Sequence, residues 1–172
     1  MNLIKVIRDS DVVEGDFGNE FSIHREAVRA VVFNEKGEIA LNYVSKYDFF
    51  KVPGGGIDPG ETQIEALDRE CVEEIGWHIE VDGEIGLITE YRGKFQLQQD
   101  SYCYLAHAVG EQLATQYTQK ELDEGFEVVW MSLEEGLKKI KAADPQNYEG
   151  KWVQAREMLI LESAEKILKQ IK

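Results

Sequence analysis

The sequence is poor in cysteine, and it has no long run of hydrophobic residues. Its two cysteines, Cys71 and Cys103, form no recognisable metal or redox spacing, so both are predicted to be reduced, small hydrophobic side chains. The longest apolar clusters, such as Met158 to Leu161, are too short to span a bilayer. The N-terminal residues also lack the hydrophobic segment of a secretory signal. These absences predict a cytoplasmic protein that does not enter a membrane.

Basic residues are also scarce. Lysine and arginine together number 19 against 33 aspartates and glutamates, which gives a formal net charge of −14. A surface this acidic repels a phosphate backbone and lacks the basic stripe that long nucleic acids need, so stable DNA or RNA binding is not expected. If the substrate is itself a polyanion, a metal ion is needed to bring it in.

The length and composition are those of one globular domain, predicted to cover residues 1–172. Hydrophobic residues make up 43% and charged residues 30% of the chain, close to ordinary usage. Strand and helix patterns mix without strict alternation, which favours an α/β (α+β) fold with a mixed sheet covered by helices over a doubly wound parallel fold.

The hydrophobic periodicity places the elements. Strands are predicted at 23–33, 39–44, 79–91, 101–109 and 127–131, the first two joined as a hairpin through turn residues 34–37. Helices are predicted at about 62–75, 133–142 and 148–171. The C-terminal helix is amphipathic, and it is expected to pack onto the edge of the sheet.

A glycine-rich turn, 53–56, precedes the best-defined helix. Thr62 followed by Glu65 is typical of an N-terminal capping box, and Gly76 is typical of a helix C-terminus. One face of this helix is predicted to pack in the core through Ile64, Leu67, Cys71 and Ile75.

Three glutamates, Glu70, Glu73 and Glu74, lie within an arc of roughly 100° on another surface of the same helix. Like charges at this spacing repel each other, so a cation is expected to offset them. Carboxylate oxygens are the ligands that Mg²⁺ prefers. The spacing therefore predicts a divalent metal site on a rigid helix face.

The full spacing resembles the Nudix box. The fixed positions of that pattern are filled by Gly55, Glu61, Arg69, Glu70, Glu73, Glu74 and Gly76. Cys71 and Trp77 stand where aliphatic residues are usual, a departure that concerns helix packing rather than chemistry. The preceding strands and the later segment 129–133 extend the resemblance across most of the chain.

The resemblance implies a Nudix-type α/β/α sandwich with a catalytic loop-helix-loop. It also implies a pyrophosphohydrolase that uses Mg²⁺, or Mn²⁺ in its place, to cleave a nucleoside diphosphate linked to another group by water attack on phosphorus. The carbonyl of Gly54 is implied as a metal ligand beside the three glutamates. Arg69 and Glu61 are implied to brace the loop and the helix.

A fourth carboxylate from a distant loop often completes such sites. Glu124 is the candidate here, with Glu121 in reserve, because both precede the strand that ends near Trp130. The general base is left open among Glu124, Glu70 and Glu73.

The substrate is the chief unknown. Candidate phosphate contacts are Arg25, Arg29, Lys46 and Lys51, and candidate stacking residues are Tyr47, Phe49, Phe50 and Tyr148. The side motifs by which relatives recognise ADP-ribose, diadenosine polyphosphates, coenzyme A or NADH are missing. The alternative function is a non-catalytic sensor of a nucleotide or ADP-ribose. The oligomeric state is left open between monomer and homodimer.

Overall fold

Seven strands and five α-helices are found in residues 1–171, which are the residues that the computed structural model describes; side-chain exposure is described for residues 1–170. In chain order they are β1 (Leu3–Arg8), α1 (Asp9–Val12), β2 (Ile23–Phe33), β3 (Ile39–Val44), β4 (Phe49–Lys51), α2 (Gln63–Ile75), β5 (His78–Arg92), β6 (Leu97–Val109), α3 (Gln119–Glu124), β7 (Phe126–Met131), α4 (Leu133–Ala142) and α5 (Tyr148–Ile171). Lys172, the last residue of the predicted domain, lies outside the described residues.

The strands form one mixed sheet in the order β1-β5-β6-β2-β3-β4, with β7 paired to β3. Two pairings are parallel, β1 with β5 and β2 with β6, and the other strand pairs are antiparallel. The prediction of a mixed sheet rather than a doubly wound parallel one is confirmed.

Side chains that alternate along β2 serve the two faces of this sheet. Val28, Ala30 and Val32 pack with α2, whereas Val31 belongs to a larger core with Trp152 and other residues of α4 and α5. Helices therefore cover both faces, and the predicted α/β/α arrangement is confirmed. The C-terminal helix was wrongly predicted to lie at an edge, since α5 contacts β2, β4 and β5 across a face.

The helix that carries the glutamates begins and ends where the sequence predicts. Thr62 and Glu65 form a reciprocal capping box, and Gly76 closes the helix with a φ of 72°. Leu67, Cys71 and Ile75 are buried as predicted. The prediction for Ile64 is wrong, because it lies in the first helical turn, ahead of the buried positions, and is 46% exposed.

The predicted hairpin of β2 and β3 is mostly open. The two strands pair only at Phe33 and Ile39, while β2 runs parallel to β6 over its whole length. The glycine loop occupies the position beside β2 that β3 leaves, since Val28 N–H donates to Gly55 O and Ile57 N–H donates to Glu26 O. The loop that fills this position also lines the cavity of the candidate site.

Four short elements escaped the sequence prediction, namely β1, α1, β4 and α3. Each has at most six residues, too few for a periodic pattern to stand out. In the described part of the chain, no helix combines the length and the apolar character that crossing a bilayer requires.

Candidate active site

A cavity of about 400 Å³ lies between the glycine loop, α2 and the N-terminal half of α5. Its acidic lining comes from six glutamates, Glu70, Glu73, Glu74, Glu121, Glu124 and Glu149. Its basic lining includes Arg25, Arg29 and Lys51, all three of which were predicted as phosphate contacts. The cavity therefore brings the predicted acidic helix and the predicted cations together.

Gly54 holds the loop against β2 in a way that only glycine permits. Its φ is 136°, and a Cβ atom here would lie 2.1 Å from the carbonyl oxygen of Val28. The carbonyls on either side accept backbone hydrogen bonds from β2, that of Pro53 from Ala30 and that of Gly55 from Val28. The Gly54 carbonyl accepts none from residues 1–170, which leaves its oxygen available to a ligand.

Glu70 lies directly against this loop. A Cβ on Gly55 would come within 2.2 Å of the Glu70 carboxylate, so the glycine makes room for it. Burial raises the pKa of Glu70, and the nearby charge of Glu74 raises it further. A divalent cation would relieve this crowding of negative charge, and the carboxylate and carbonyl oxygens offered here are donors that suit Mg²⁺.

Arg69 joins the helix to the loop. Its Nε and Nη2 donate to the two carboxylate oxygens of Glu61 at 2.7 and 2.9 Å, and Nη2 also donates to Gly56 O at 3.1 Å. Nη1 donates to Glu70 at 2.9 Å and to Glu73 at 3.4 Å. Hydrogen bonding from Arg69 lowers the pKa of Glu61 to about 2. The structure thus places Arg69 and Glu61 together as expected.

The three glutamates of α2 differ in how exposed their side chains are. The Glu73 side chain is 40% exposed, whereas that of Glu74 is only 6% exposed. Glu74 accepts from Lys51 Nζ at 2.6 Å, from Asn42 Nδ2 at 3.0 Å and from Gly54 N at 3.0 Å. Among residues 1–170, no three acidic, histidine or cysteine side chains are close enough to form a complete metal cage.

Two of these contacts changed the interpretation of the sequence. Lys51, which was predicted to bind phosphate, lines the cavity and also forms an ion pair with Glu74. Asn42 was not predicted at all, although a polar residue inside the apolar strand β3 is a signal that could have revealed it. A metal ion at Glu74 would have to replace Lys51 as its partner.

The two candidates for the fourth carboxylate differ in how much the protein already uses them. Glu121 caps α3, accepting from Thr118 N and Oγ1 at 2.8 Å each. Glu124, at the end of the same helix, is 3.7 Å from Lys120 and is otherwise open to the cavity. Both residues lie on a short helix rather than on the predicted loop. Glu124 is therefore the freer of the two to act on a ligand.

The predicted stacking residues separate into two groups. Tyr47 and Phe49 line the cavity, joined by Phe126, which was not predicted. Phe50 instead packs in the core beside Tyr43, and Tyr148 packs against Phe17, Phe95 and Trp152. Lys46, a further predicted phosphate contact, lies over the ring of Tyr47.

Comparison with known proteins agrees with this geometry. A family model described as the NUDIX domain matches residues 23–153. The chain is 36% identical over 107 residues to the 8-oxo-dGDP phosphatase NUDT18 of Homo sapiens, a match that covers 60% of this chain and 31% of that protein. It is 42% identical over 57 residues to the RNA pyrophosphohydrolase of Ruthia magnifica subsp. Calyptogena magnifica, which covers 33% of this chain and 32% of that protein.

The matched region spans between 31% and 55% of the length of the curated relatives. Among solved structures, a NUDIX hydrolase from Nitrosomonas europaea superimposes with a TM-score of 0.61 at 17% identity. That alignment covers 83% of this chain and 88% of the other. At this identity the likeness concerns the fold.

Proposed function

Because this chain belongs to the Nudix family, as its sequence resemblance predicted, we propose that it is a divalent-metal-dependent pyrophosphohydrolase acting on nucleotide-type diphosphates. The observation that carries this proposal is the position of the Gly54 carbonyl and the Glu70 carboxylate on the wall of a cavity that also contains arginines. Oxygen donors for a metal thus face groups that bind phosphate.

Gly54, Glu70 and Glu73 are the residues that would hold the metal, with Glu74 joining them if Lys51 moves away. A bound Mg²⁺ or Mn²⁺ would neutralise charge on the diphosphate and lower the barrier to attack by water. The fit rests on hard oxygen donors crowded around the glycine loop and on the raised pKa of Glu70, which a cation would reverse.

The other residues of the cavity position the reaction. Arg69 and Glu61 keep the loop and α2 in register, so the oxygen donors of Gly54 and Glu70 stay on the same side of the cavity. We assign to Glu124, which lines the cavity, the role of accepting a proton from the attacking water. Tyr47, Phe49 and Phe126 supply aromatic surface for a nucleobase.

The substrate class is supported more weakly than the reaction. The relatives named above are an 8-oxo-dGDP phosphatase and an RNA pyrophosphohydrolase, which suggests nucleotides or 5′-phosphorylated RNA ends as candidates for this chain. A phosphorylated RNA end is compatible with the acidic surface, because it requires contact with a terminus rather than with a long backbone.

The proposal is tested by a phosphate-release screen in Mg²⁺ and in Mn²⁺, with EDTA as the blank. The panel contains normal and oxidised nucleoside triphosphates, dinucleoside polyphosphates, nucleotide sugars, ADP-ribose and 5′-triphosphate RNA. Metal-dependent cleavage of at least one compound is expected. Saturable binding of a nucleotide or of ADP-ribose without product in either metal would instead favour the non-catalytic sensor.

A further inference from the structure

Four of the six arginines in the sequence line the cavity beyond the glutamates. Arg25 and Arg29 come from β2, Arg92 from β5 and Arg156 from α5. The chain as a whole has a net charge of −14, so this cluster of arginines has a charge opposite in sign to that of the chain. We call these four residues the arginine pocket.

Buried carboxylates hold two of the four arginines in place. Glu90 accepts from Arg92 Nη2 at 2.6 Å and from Arg156 Nη1 at 3.4 Å. Glu157 accepts from Arg156 Nε and Nη2 at 2.9 and 2.6 Å. Both glutamates are fully buried, so their carboxylates interact with these arginines and not with solvent.

The other two arginines have no such partner. Within residues 1–170, no carboxylate lies within ion-pair distance of Arg25 or Arg29. The two fully buried carboxylates thus pair directly with Arg92 and Arg156, whereas Arg25 and Arg29 lie in the same cavity without a direct ion pair. Arg29 is only 6% exposed, and burial followed by repulsion from Arg156 lowers its pKa to about 10.

This pocket also contains buried hydrogen-bond donors that have no acceptor among residues 1–170. The Nε atoms of Arg29 and Arg92 are buried and have no hydrogen-bond partner in the described part of the chain. A buried donor without an acceptor is costly and rare in native proteins. The purely structural explanation, an ion-pair network that ties α5 to the sheet, accounts for Arg92 and Arg156 but not for the burial of Arg29.

The arginine pocket adjoins the candidate metal site. A Cβ on Gly56 would lie 3.1 Å from Arg25 Nη2, and one on Gly54 would lie 3.0 Å from the Cα of Arg29. The charges of Glu70 and Glu74 act on Arg25 and Arg29, respectively. A phosphate chain whose cleaved diphosphate lies at the glycine loop can therefore continue into the pocket.

We propose that the arginine pocket binds a further phosphate of the substrate, beyond the diphosphate that is cleaved. This inference rests on the proposed function and narrows it to compounds with a chain of three or more phosphates, such as nucleoside triphosphates or 5′-triphosphate ends. Guanidinium groups suit this task because their fixed N–H donors match phosphate oxygens in pairs. Nucleotide sugars and ADP-ribose have no third phosphate to place against these guanidinium groups.

Arg29 offers the sharpest test, because replacing it leaves no buried carboxylate without a partner. The probe is inorganic tripolyphosphate in EDTA, and its binding is measured by calorimetry on the full chain. We expect saturable binding to the wild type, and binding weaker by about tenfold or more in Arg29→Met. Arg8→Met, which removes an arginine stacked on Tyr91 outside the cavity, should bind like the wild type.

Unchanged affinity in Arg29→Met, or no saturable binding to the wild type, would overturn the inference. Chemical denaturation checks folding, and Arg29→Met should be at least as stable as the wild type because it removes a buried, unpaired charge. Since no metal is present, the calorimetry decides the arginine pocket independently of whether hydrolysis is found.

A second experiment measures the hydrolysis of two substrates by the same variant. With Mg²⁺, we expect Arg29→Met to lower kcat/KM for a nucleoside triphosphate by about tenfold or more, and by a smaller factor for the matching nucleotide sugar, which has one phosphate fewer. Equal factors for the two substrates would contradict the inference. A wild type that prefers the nucleotide sugar would contradict the inference, while leaving the proposed pyrophosphohydrolase intact.

Discussion

Lys51 Nζ lies 2.6 Å from Glu74 Oε1, so the last glutamate of the motif forms an ion pair with a lysine of β4. The other oxygen of Glu74 accepts from Asn42 Nδ2 and Gly54 N. Glu74 therefore joins α2 to β3, to β4 and to the glycine loop. A metal ion that binds Oε1 of Glu74 would compete with Lys51 for this oxygen.

Removal of the lysine should expose this competition. Lys51→Met leaves the mostly buried Glu74 without its cation, so in EDTA the free energy of unfolding should fall by about 1–3 kcal/mol. Mg²⁺ should restore a larger part of the stability in the variant than it adds to the wild type, because the metal gains access to Glu74. Urea unfolding with and without Mg²⁺ measures both quantities, and equal Mg²⁺ effects in the two proteins would show that Lys51 and the metal do not compete for Glu74.

Arg69 should not be replaceable by lysine. The guanidinium makes a two-point contact with Glu61 and also reaches Gly56 O and Glu70, a geometry that a single ammonium group cannot reproduce. We expect Arg69→Lys to remain folded and to lose about 10- to 100-fold in kcat with a raised Mg²⁺ requirement. Steady-state kinetics over a Mg²⁺ titration gives both values. Wild-type kinetics in the variant would show that the brace is unnecessary.

The contact between Glu61 and Arg69 should make the stability of the protein depend on pH in the acid range. Its pKa in the folded protein, about 2, lies below the value of 4.5 expected for a free glutamate, chiefly because Arg69 donates to it. The unfolded chain therefore takes up the proton first, and the stability that Glu61 provides is present above pH 4.5 and is lost as the pH falls toward 2. Glu61→Gln should lower stability at neutral pH and flatten the decline in acid.

Unfolding curves in urea from pH 6 to pH 3 test this effect, with Glu162→Gln as a control at an exposed position of α5. The difference in unfolding free energy between wild type and Glu61→Gln should shrink as the pH falls. Parallel pH profiles for the two proteins would contradict the assignment of the low pKa to the contact with Arg69.

Glu124 and Glu121 should respond differently to the same change. Glu124 is open to the cavity, so Glu124→Gln is expected to lower kcat by about 10²-fold or more if this carboxylate accepts the proton of the attacking water. Glu121→Gln keeps the shape of the cap and loses only its charge, so it should cost about 1 kcal/mol of stability or less and leave kcat nearly unchanged. Kinetics and thermal unfolding of both variants decide between them, and the reverse pattern would make Glu121 the active residue.

Local features of the site were predictable from the sequence because their causes are local. The capping box at Thr62, the left-handed Gly76 and the helical spacing of Glu70 and Glu73 all depend on residues within a few positions of each other. Because these signals are local, the predicted ends of α2 agree with those in the structure.

Non-local contacts were not predictable in the same way. The ion pair of Lys51 with Glu74 depends on the packing of β4 beside α2, and nothing in the residues around either partner encodes it. Two of the four residues of the arginine pocket could be grouped from the sequence, since Arg25 and Arg29 lie on one strand. Arg92 and Arg156 reach the cavity only because β5, β6 and β2 are neighbours and α5 lies across them.

The most direct test of the account is the rate of nucleotide cleavage by Glu73→Gln in Mg²⁺. Glu73 is the most exposed of the three glutamates of α2, so its replacement should leave folding intact while it removes a carboxylate from the candidate metal site. We expect that wild-type turnover requires Mg²⁺ or Mn²⁺ and that Glu73→Gln, with an unchanged unfolding curve, loses about 10²-fold or more in turnover rate. Full activity in this variant, or wild-type turnover that persists in EDTA, would contradict the assignment of catalysis to a metal on this helix.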